Sequence, residues 1–312
     1  MRWTVTPVLL FALGTGAIAV VFADQGQVFR SGVQSVLADV SVMRGRTPLT
    51  GLAAEDFSVT DNGVAQRLDS LEGAAMPLDV SLVVDATWLT LGLAPELGPA
   101  GARSLLDNAQ QVASLLNPDD RLGVITFSAT VEETRAMSRV GSPLGEISVA
   151  NSTTWSYDDR PRITQALLTA LMAPVATDRR HLVLMFSAAR GGLDVPSGAP
   201  LVEAAARADA LLYAVLNPPH YALGTHVPSA FYPSEIPIRD AVMRAAEATG
   251  GKAVLTGDVS GTFRDVLKDF RQRYVLRYSV QGVPTRGWHD IVVTVPSCPG
   301  CTIHARRGYM GQ

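Results

Sequence analysis

Five short apolar segments separated by helix-compatible stretches constrain the fold of this chain more than any other feature. The apolar segments are Leu78–Asp85, Arg121–Phe127, His181–Phe186, Ala210–Leu216 and Ala253–Leu255. Near-continuous apolar runs of this length are typical of strands buried on both faces of a sheet. Alternation of such strands with helices predicts an α/β fold, a doubly wound, mostly parallel sheet with helices on both faces.

The spacing of apolar residues predicts the intervening helices. They are expected over Ala100–Leu116, Ile163–Leu171, Pro200–Ala208, Ile238–Thr249 and Phe263–Gln272. Gly250 and Gly251 follow the fourth of these helices as a C-terminal cap pair. Val131–Met137 reads as a short edge strand. Ligands of such sheets bind at the carboxyl ends of the strands, which makes that edge the expected functional site.

The segments on either side of the α/β pattern alternate polar and apolar residues, as half-buried strands do. The sequence therefore predicts an N-terminal β segment over residues 24–77, an α/β domain over 78–273 and a C-terminal β segment over 274–312. Neither β segment has enough strands to bury a face alone. We expect residues 28–77 to pair with 274–310 in one small β-sandwich, into which the α/β domain is inserted.

Residues 1–23 have the three-part layout of a secretory signal. Arg2 is followed by an apolar run from Val8 to Phe22, and small residues precede a cleavage point after Ala23. The alternative is an uncleaved anchor, because residues 6–23 reach the short end of a membrane-spanning length. The sequence thus predicts a secreted or periplasmic protein, or one anchored by residues 6–23, with membrane contact only in the second case.

Composition excludes several classes of protein. The 312 residues carry 26 basic and 29 acidic side chains, a formal net charge of −3, which argues against nucleic-acid binding. A hydrophobic fraction of 47% and a charged fraction of 18% indicate a sizeable core rather than disorder. Two cysteines exclude a disulfide-dense scaffold.

Three strand segments and three segments in the flanks carry motifs of a known family. The strand segments are Pro77–Asp85, Asp120–Ser128 and Arg180–Ser187. The flanking segments lie near Phe29–Val33, Gly51–Gln66 and Ala305–Tyr309. Together they resemble the von Willebrand factor type A (VWFA) family, and in particular an exported branch of acidobacterial type. The resemblance covers nearly all of the chain after residue 23. It implies a metal-ion-dependent adhesion site built from an Asp-x-Ser-x-Ser loop, a Thr and a second Asp.

That metal site is eroded in this sequence. Asp85 stands at the first family Asp and Thr87 at the first Ser, but Leu89 replaces the second Ser. Pro161 falls near the family Thr, and Ala188 stands where the family has its second Asp. Mg²⁺ demands near-ideal octahedral oxygen coordination. The resemblance therefore implies a vestigial site at Asp85 and Thr87 and no cofactor, with retained Mg²⁺ binding as the alternative.

Details of the surrounding loops leave two points open. Thr153 or Thr154 could replace the missing Thr only if their loop is longer than in the family, and Arg190 adds positive charge beside the site. Aromatic residues follow the strand ends and are expected to gather at one edge. They are Trp88, Trp155, Tyr157, Tyr221, Phe231 and Tyr232. They form either a contact face for a protein partner or a cluster that only covers the sheet end.

Cys298 and Cys301 lie between two predicted strands, where Pro299 and Gly300 make a turn. In an oxidising compartment a local disulfide across this hairpin is the favoured reading. Zinc would need two more ligands, and His304 is the one obvious neighbour.

The sequence leads to a non-catalytic, exported protein-binding protein whose partner it does not name. One alternative is a metal-independent hydrolase using Asp85 with His220 or His226. A second is Mg²⁺-dependent adhesion, and a third is a structural scaffold of the cell envelope without a discrete ligand site.

Overall fold

The computed structural model describes residues 35–72, 76–86, 110–140, 161–176, 178–187, 189, 194–216, 236–256 and 259–311. All described residues belong to one compact unit, Val33–Gln312. Among them, no helix is both long and apolar enough to cross a bilayer.

The elements follow the chain in four groups. The first strands are β1 (Ser35–Arg44), β2 (Thr47–Pro48), β3 (Ser58–Asp61), β4 (Val64–Gln66) and β5 (Leu68–Glu72). The central strands are β6 (Leu78–Asp85), β7 (Arg121–Phe127), β8 (Val131–Arg139), β9 (Arg180–Ser187), β10 (Leu211–Leu216) and β11 (Lys252–Leu255). The last strands are β12 (Tyr274–Ser279), β13 (Gly287–Thr294), β14 (Thr302–Ala305) and β15 (Gly308–Gly311). The helices are α1 (Ile163–Leu171), α2 (Ala199–Arg207), α3 (Ile236–Ala248) and α4 (Val259–Arg271).

The central sheet has the order β11-β10-β9-β6-β7-β8. Every pairing is parallel except that of β7 with β8, which is antiparallel and lies at the edge. Helices cover both faces: α1, α2 and α3 pack on the face that carries Val83 and Met185, and α4 packs on the face that carries Leu82 and Leu184. The predicted α/β class is therefore confirmed.

Most predicted elements lie within two residues of their observed bounds. The largest difference inside the described residues is α4, which begins at Val259, four residues before the predicted Phe263. The first four residues of this helix, 259–262, contain a single apolar side chain, Val259, and therefore show no helical periodicity of apolar residues. Of the helix predicted over Ala100–Leu116, residues 110–114 are helical, and 100–109 lie outside the described residues.

The β segments before and after the central sheet pair with each other. One sheet has the order β14-β1-β12-β5, with β2 paired to β1, and the other has the order β15-β13-β3-β4. The two sheets share one hydrophobic cluster that includes Val40, Val59, Leu276 and Val293. Residues 64–72 form two strands in different sheets, because the chain turns a corner between β4 and β5.

Two turns use residues with positive φ. Asn62 and Gly63 have φ angles of 46° and 81° and connect β3 to β4 in a hairpin. Gly250 has a φ of 82°, and its N–H donates to Glu247 O at 2.9 Å, so it ends α3 as a left-handed cap.

A buried arginine links the flanking sheet that contains β1 to the central sheet. Arg180 on β9 is 3% exposed, donates to the Asp39 carboxylate on β1 and donates to Phe270 O at 2.9 Å. Its guanidinium carbon also lies 4.0 Å from the centre of the Phe270 ring. Removal of the Asp39 carboxylate would leave the buried charge of Arg180 uncompensated, which is strongly destabilising.

Candidate functional site

The carboxyl edge of the central sheet brings together the ends of β6, β7, β9 and β10. Because these strands are parallel, Asp85 at the end of β6 and Ser187 at the end of β9 lie at the same edge. Asp85 is 1% exposed and Ser187 is fully buried. The Asp85 carboxylate, at the edge of the sheet where the functional site is expected, is therefore buried inside the protein.

The Asp85 carboxylate is held by an internal hydrogen bond. The Ser187 hydroxyl donates to Asp85 Oδ2 at 2.5 Å and accepts the Ala189 N–H at 2.8 Å. Ala189 has a φ of 49°, a left-handed conformation that residues other than glycine seldom adopt. This turn directs the chain after β9 so that its backbone approaches Ser187. No sequence pattern predicts this role of Ser187, because its contact with Asp85 depends on the alignment of β6 and β9.

A carboxylate in the segment that follows β9 caps a helix. Asp194 Oδ1 accepts the Thr164 N–H at 3.1 Å, and Asp194 Oδ2 accepts the Gln165 N–H at 3.2 Å. Arg162 occupies the N-cap position of α1 without a capping side-chain bond, so Asp194 satisfies two N–H groups that would otherwise lack partners. A negative charge there also complements the helix dipole. Nothing in the local sequence links Asp194 to a helix that begins about 30 residues earlier.

The arrangement offers little that would bind a cation. Within the described ranges, no three His, Cys, Asp or Glu side chains come together as a group that could hold a metal. Thr164, at the first turn of α1, is buried, and its hydroxyl has no hydrogen-bond partner among the residues that the structure describes.

Most residues predicted for the edge lie outside the described residues, and their roles stay predictions. These include the vestigial ligand Thr87 and the positions Leu89, Thr153, Thr154, Ala188 and Arg190. They also include the six aromatic residues Trp88, Trp155, Tyr157, Tyr221, Phe231 and Tyr232, and the histidines His220 and His226. Pro161 is described and is buried directly before α1.

The predicted disulfide between Cys298 and Cys301 is present. It closes a tight turn in which the Cys301 N–H donates to Cys298 O at 3.0 Å. With both sulfur atoms in a covalent bond, the zinc alternative that involved His304 has no thiolate ligands. His304 instead lies exposed on β14, opposite Ser41 of β1.

Two buried polar clusters were not anticipated from the sequence. In the flanking sheets, Asp61 accepts hydrogen bonds from the Tyr278 hydroxyl at 3.0 Å and the Tyr309 hydroxyl at 2.8 Å, and contacts His289 Nδ1 at 2.7 Å. Burial, together with the Asp61 carboxylate, raises the pKa of both tyrosines. All four side chains are 5% exposed or less, so this resembles an interior network rather than a substrate site.

The second cluster lies in the central sheet. The Ser81 hydroxyl lies 2.9 Å from His181 Nε2, and both residues are less than 5% exposed. Burial lowers the pKa of His181 to about 4, an effect that the Asp79 carboxylate opposes only in part. The imidazole is therefore neutral at pH 7. A serine and a histidine at this distance invite comparison with nucleophilic catalysis, but their burial leaves no room for a substrate.

No protein family profile matches this chain, and no curated protein matches it. Solved structures do match. BatB from Bacteroides thetaiotaomicron is 9% identical with a TM-score of 0.43, covering 62% of this chain and 96% of its own. The ArnB paralog VWA2 from Sulfolobus acidocaldarius is 11% identical with a TM-score of 0.42, covering 88% and 75%.

A von Willebrand factor type A protein from Catenulispora acidiphila is 10% identical with a TM-score of 0.38, covering 91% of this chain and 76% of its own. At such identities an assignment of function rests on the residues of this chain. The solved structures that match it include von Willebrand factor type A proteins, the family that its sequence resembles.

Proposed function

We propose that this chain is an exported, non-catalytic protein-binding protein whose type A domain has lost its metal site. The flanking strands form a β-sandwich into which the α/β domain is inserted, and the partner binds the carboxyl edge of the central sheet. Residues 1–23 direct export to the periplasm or the cell exterior.

The observation that carries the proposal is the state of Asp85. Its side chain is 1% exposed, and the Ser187 hydroxyl donates to one of its oxygens. Mg²⁺ keeps several waters and needs near-octahedral oxygen ligands, which a carboxylate buried in this way is poorly placed to share. With Leu89 and Ala188 at two family ligand positions, the donor set does not fit the metal.

Two further features support export and binding. A disulfide between Cys298 and Cys301 is stable in an oxidising compartment and rare in the reducing cytosol. Six aromatic residues occur in the sequence after β6, β8 and β10, and aromatic residues are enriched at the centres of protein interfaces. Contact between these aromatic side chains and the protein partner would replace the contact that other members of the family make with their partners through a bound metal ion.

Thermal denaturation with and without Mg²⁺ tests the loss of the metal site. We expect no change in Tm for the natural sequence from zero to about 10 mM MgCl2, a concentration about tenfold above the Kd of the weakest Ca²⁺ modules. The variant Leu89→Ser/Pro161→Thr/Ala188→Asp should gain stability with Mg²⁺, by about 2.7 kcal/mol at 100 times its Kd. A Mg²⁺-dependent rise in Tm of the natural sequence that Asp85→Asn abolishes would overturn the proposal.

Capture of envelope proteins, followed by cross-linking and mass spectrometry, tests the binding role. The capture should be the same in EDTA and in Mg²⁺, and Trp88→Ala/Trp155→Ala should reduce it. Trp288→Ala is the matched control, because Trp288 is 38% exposed on β13, in a different sheet. Equal loss in the control, or no loss in the double variant, would argue against an aromatic contact face.

A further inference from the structure

A cavity of about 550 Å³ lies at the opposite end of the central sheet from Asp85. It is bounded by the C-terminal half of α4, by Leu115 after the helical residues 110–114, and by the loop Thr50–Gly51 between β2 and β3. Arg271 at the end of α4 is bound to the Asp120 carboxylate, and Asp120 directly precedes β7. The cavity is therefore at the amino edge, where the proposed partner does not bind.

One wall of the cavity is cationic. Arg264, Lys268 and Arg271 occur at positions i, i+4 and i+7 of α4 and lie on one face of the helix. Asp120 neutralises part of the charge of Arg271. Arg264 and Lys268 are exposed and form no ion pair with any residue that the structure describes. No Asp or Glu is among the described residues that line the cavity.

The floor of the cavity is apolar and held in place. Leu267 is 3% exposed and Tyr274 is 8% exposed, and both line the cavity together with Leu115. The Tyr274 hydroxyl donates to Leu49 O at 2.9 Å and accepts the Leu52 N–H at 3.0 Å. These two bonds hold the Thr50–Gly51 loop against the floor. Phe57 packs edge-on against the Tyr274 ring at 5.1 Å between centroids, so the ring itself is fixed.

We propose that this cavity binds a small organic anion, one carboxylate or similar acidic group attached to an apolar body. The volume falls within the range of about 300–1,000 Å³ that is usual for small-molecule sites. An apolar floor gives affinity through burial of the body, and cations on one wall orient the acidic group. Because Arg264 and Lys268 lack protein partners within the described residues, a ligand anion would not displace an existing ion pair.

Three probes test separately whether the site requires an apolar body and whether it requires a negative charge. 1-Naphthoate combines an apolar body with a carboxylate, 1-naphthylmethylammonium has the same body with a positive charge, and acetate has the charge alone. Titration of the full chain, followed by naphthalene fluorescence anisotropy or by calorimetry for acetate, should show saturable binding of 1-naphthoate only. Saturable binding of the cationic probe with equal affinity would overturn the proposal, as would absence of 1-naphthoate binding.

The variant Arg264→Gln/Lys268→Gln should raise the Kd for 1-naphthoate by about five- to tenfold, as expected for two exposed charge contacts. Arg244→Gln/Arg286→Gln is the matched control, because it removes the same charge from exposed residues that do not line the cavity. Its Kd should stay within about twofold of the natural sequence. A similar rise in both variants, or in neither, would overturn the proposed site. Both variants change exposed side chains, and their Tm reports whether the fold is intact.

Discussion

Protonation of His181 should weaken the fold at mildly acidic pH. The imidazole is 4% exposed, lies 2.9 Å from the Ser81 hydroxyl, and has a pKa lowered by burial from 6.5 to about 4. In the unfolded chain the same group takes up its proton near pH 6.5. Between these two values the unfolded state binds more protons than the folded state, so stability decreases as the pH falls.

The magnitude follows from the difference between the two pKa values. Each pKa unit is worth 1.36 kcal/mol, so the full loss is about 3 kcal/mol, complete near pH 4 and absent above pH 7. For a domain whose total stability is about 5–15 kcal/mol this is a substantial fraction. The neighbouring Asp79 opposes the shift only in part, so it does not change the sign.

Urea denaturation of the natural sequence and of His181→Gln at pH 7.5, 6.0, 5.0 and 4.5 measures this effect. His181→Gln should lose about 2–3 kcal/mol less than the natural sequence between pH 7.5 and 4.5, because glutamine does not titrate. His304→Gln, which changes an exposed imidazole on β14, is the comparison and should change the pH dependence less. Equal pH dependence with and without His181, or an NMR titration of His181 near pH 6.5, would refute the reasoning.

Three further substitutions test other parts of the structure by chemical or thermal denaturation. Ser187→Ala removes the hydroxyl that donates to the buried Asp85 and should cost about 1–3 kcal/mol. Cys301→Ser opens a disulfide that closes a very short loop, so the loss should be no more than about 2 kcal/mol. Gly251→Ala would place a Cβ 2.0 Å from a backbone oxygen and should cost at least about 1–3 kcal/mol, whereas Gly300→Ala meets open space and should cost little.

The controls for these substitutions are contained in the same experiments. A Ser187→Ala variant as stable as the natural sequence would mean that Asp85 has other sufficient partners. Dithiothreitol should lower the stability of the natural sequence but leave Cys301→Ser unchanged. Equal losses for Gly251→Ala and Gly300→Ala would contradict the close packing of the turn after α3 against β10.

The sequence by itself determined the α/β class and most element bounds, because each central strand is apolar over nearly its whole length and each helix repeats its apolar residues at helical spacing. β7 occupies Arg121–Phe127 and α1 occupies Ile163–Leu171, as predicted. The Asn62-Gly63 turn and the Cys298–Cys301 disulfide also depend on residues that are close in the sequence. The turn needs two residues that tolerate positive φ, and the disulfide needs two cysteines three positions apart. Patterns of this kind depend on neighbours in the chain.

Only the tertiary structure decided which distant side chains meet. Asp194 caps α1 from across a loop, Ser187 reaches Asp85 across two parallel strands, and Asp61 receives hydrogen bonds from strands more than 200 residues away. The cavity beside α4 likewise joins a helix to a loop from the start of the chain. Such contacts follow from strand order and register, which leave no periodic signal in a sequence, and they decide which polar groups are bound internally and which remain available to a ligand.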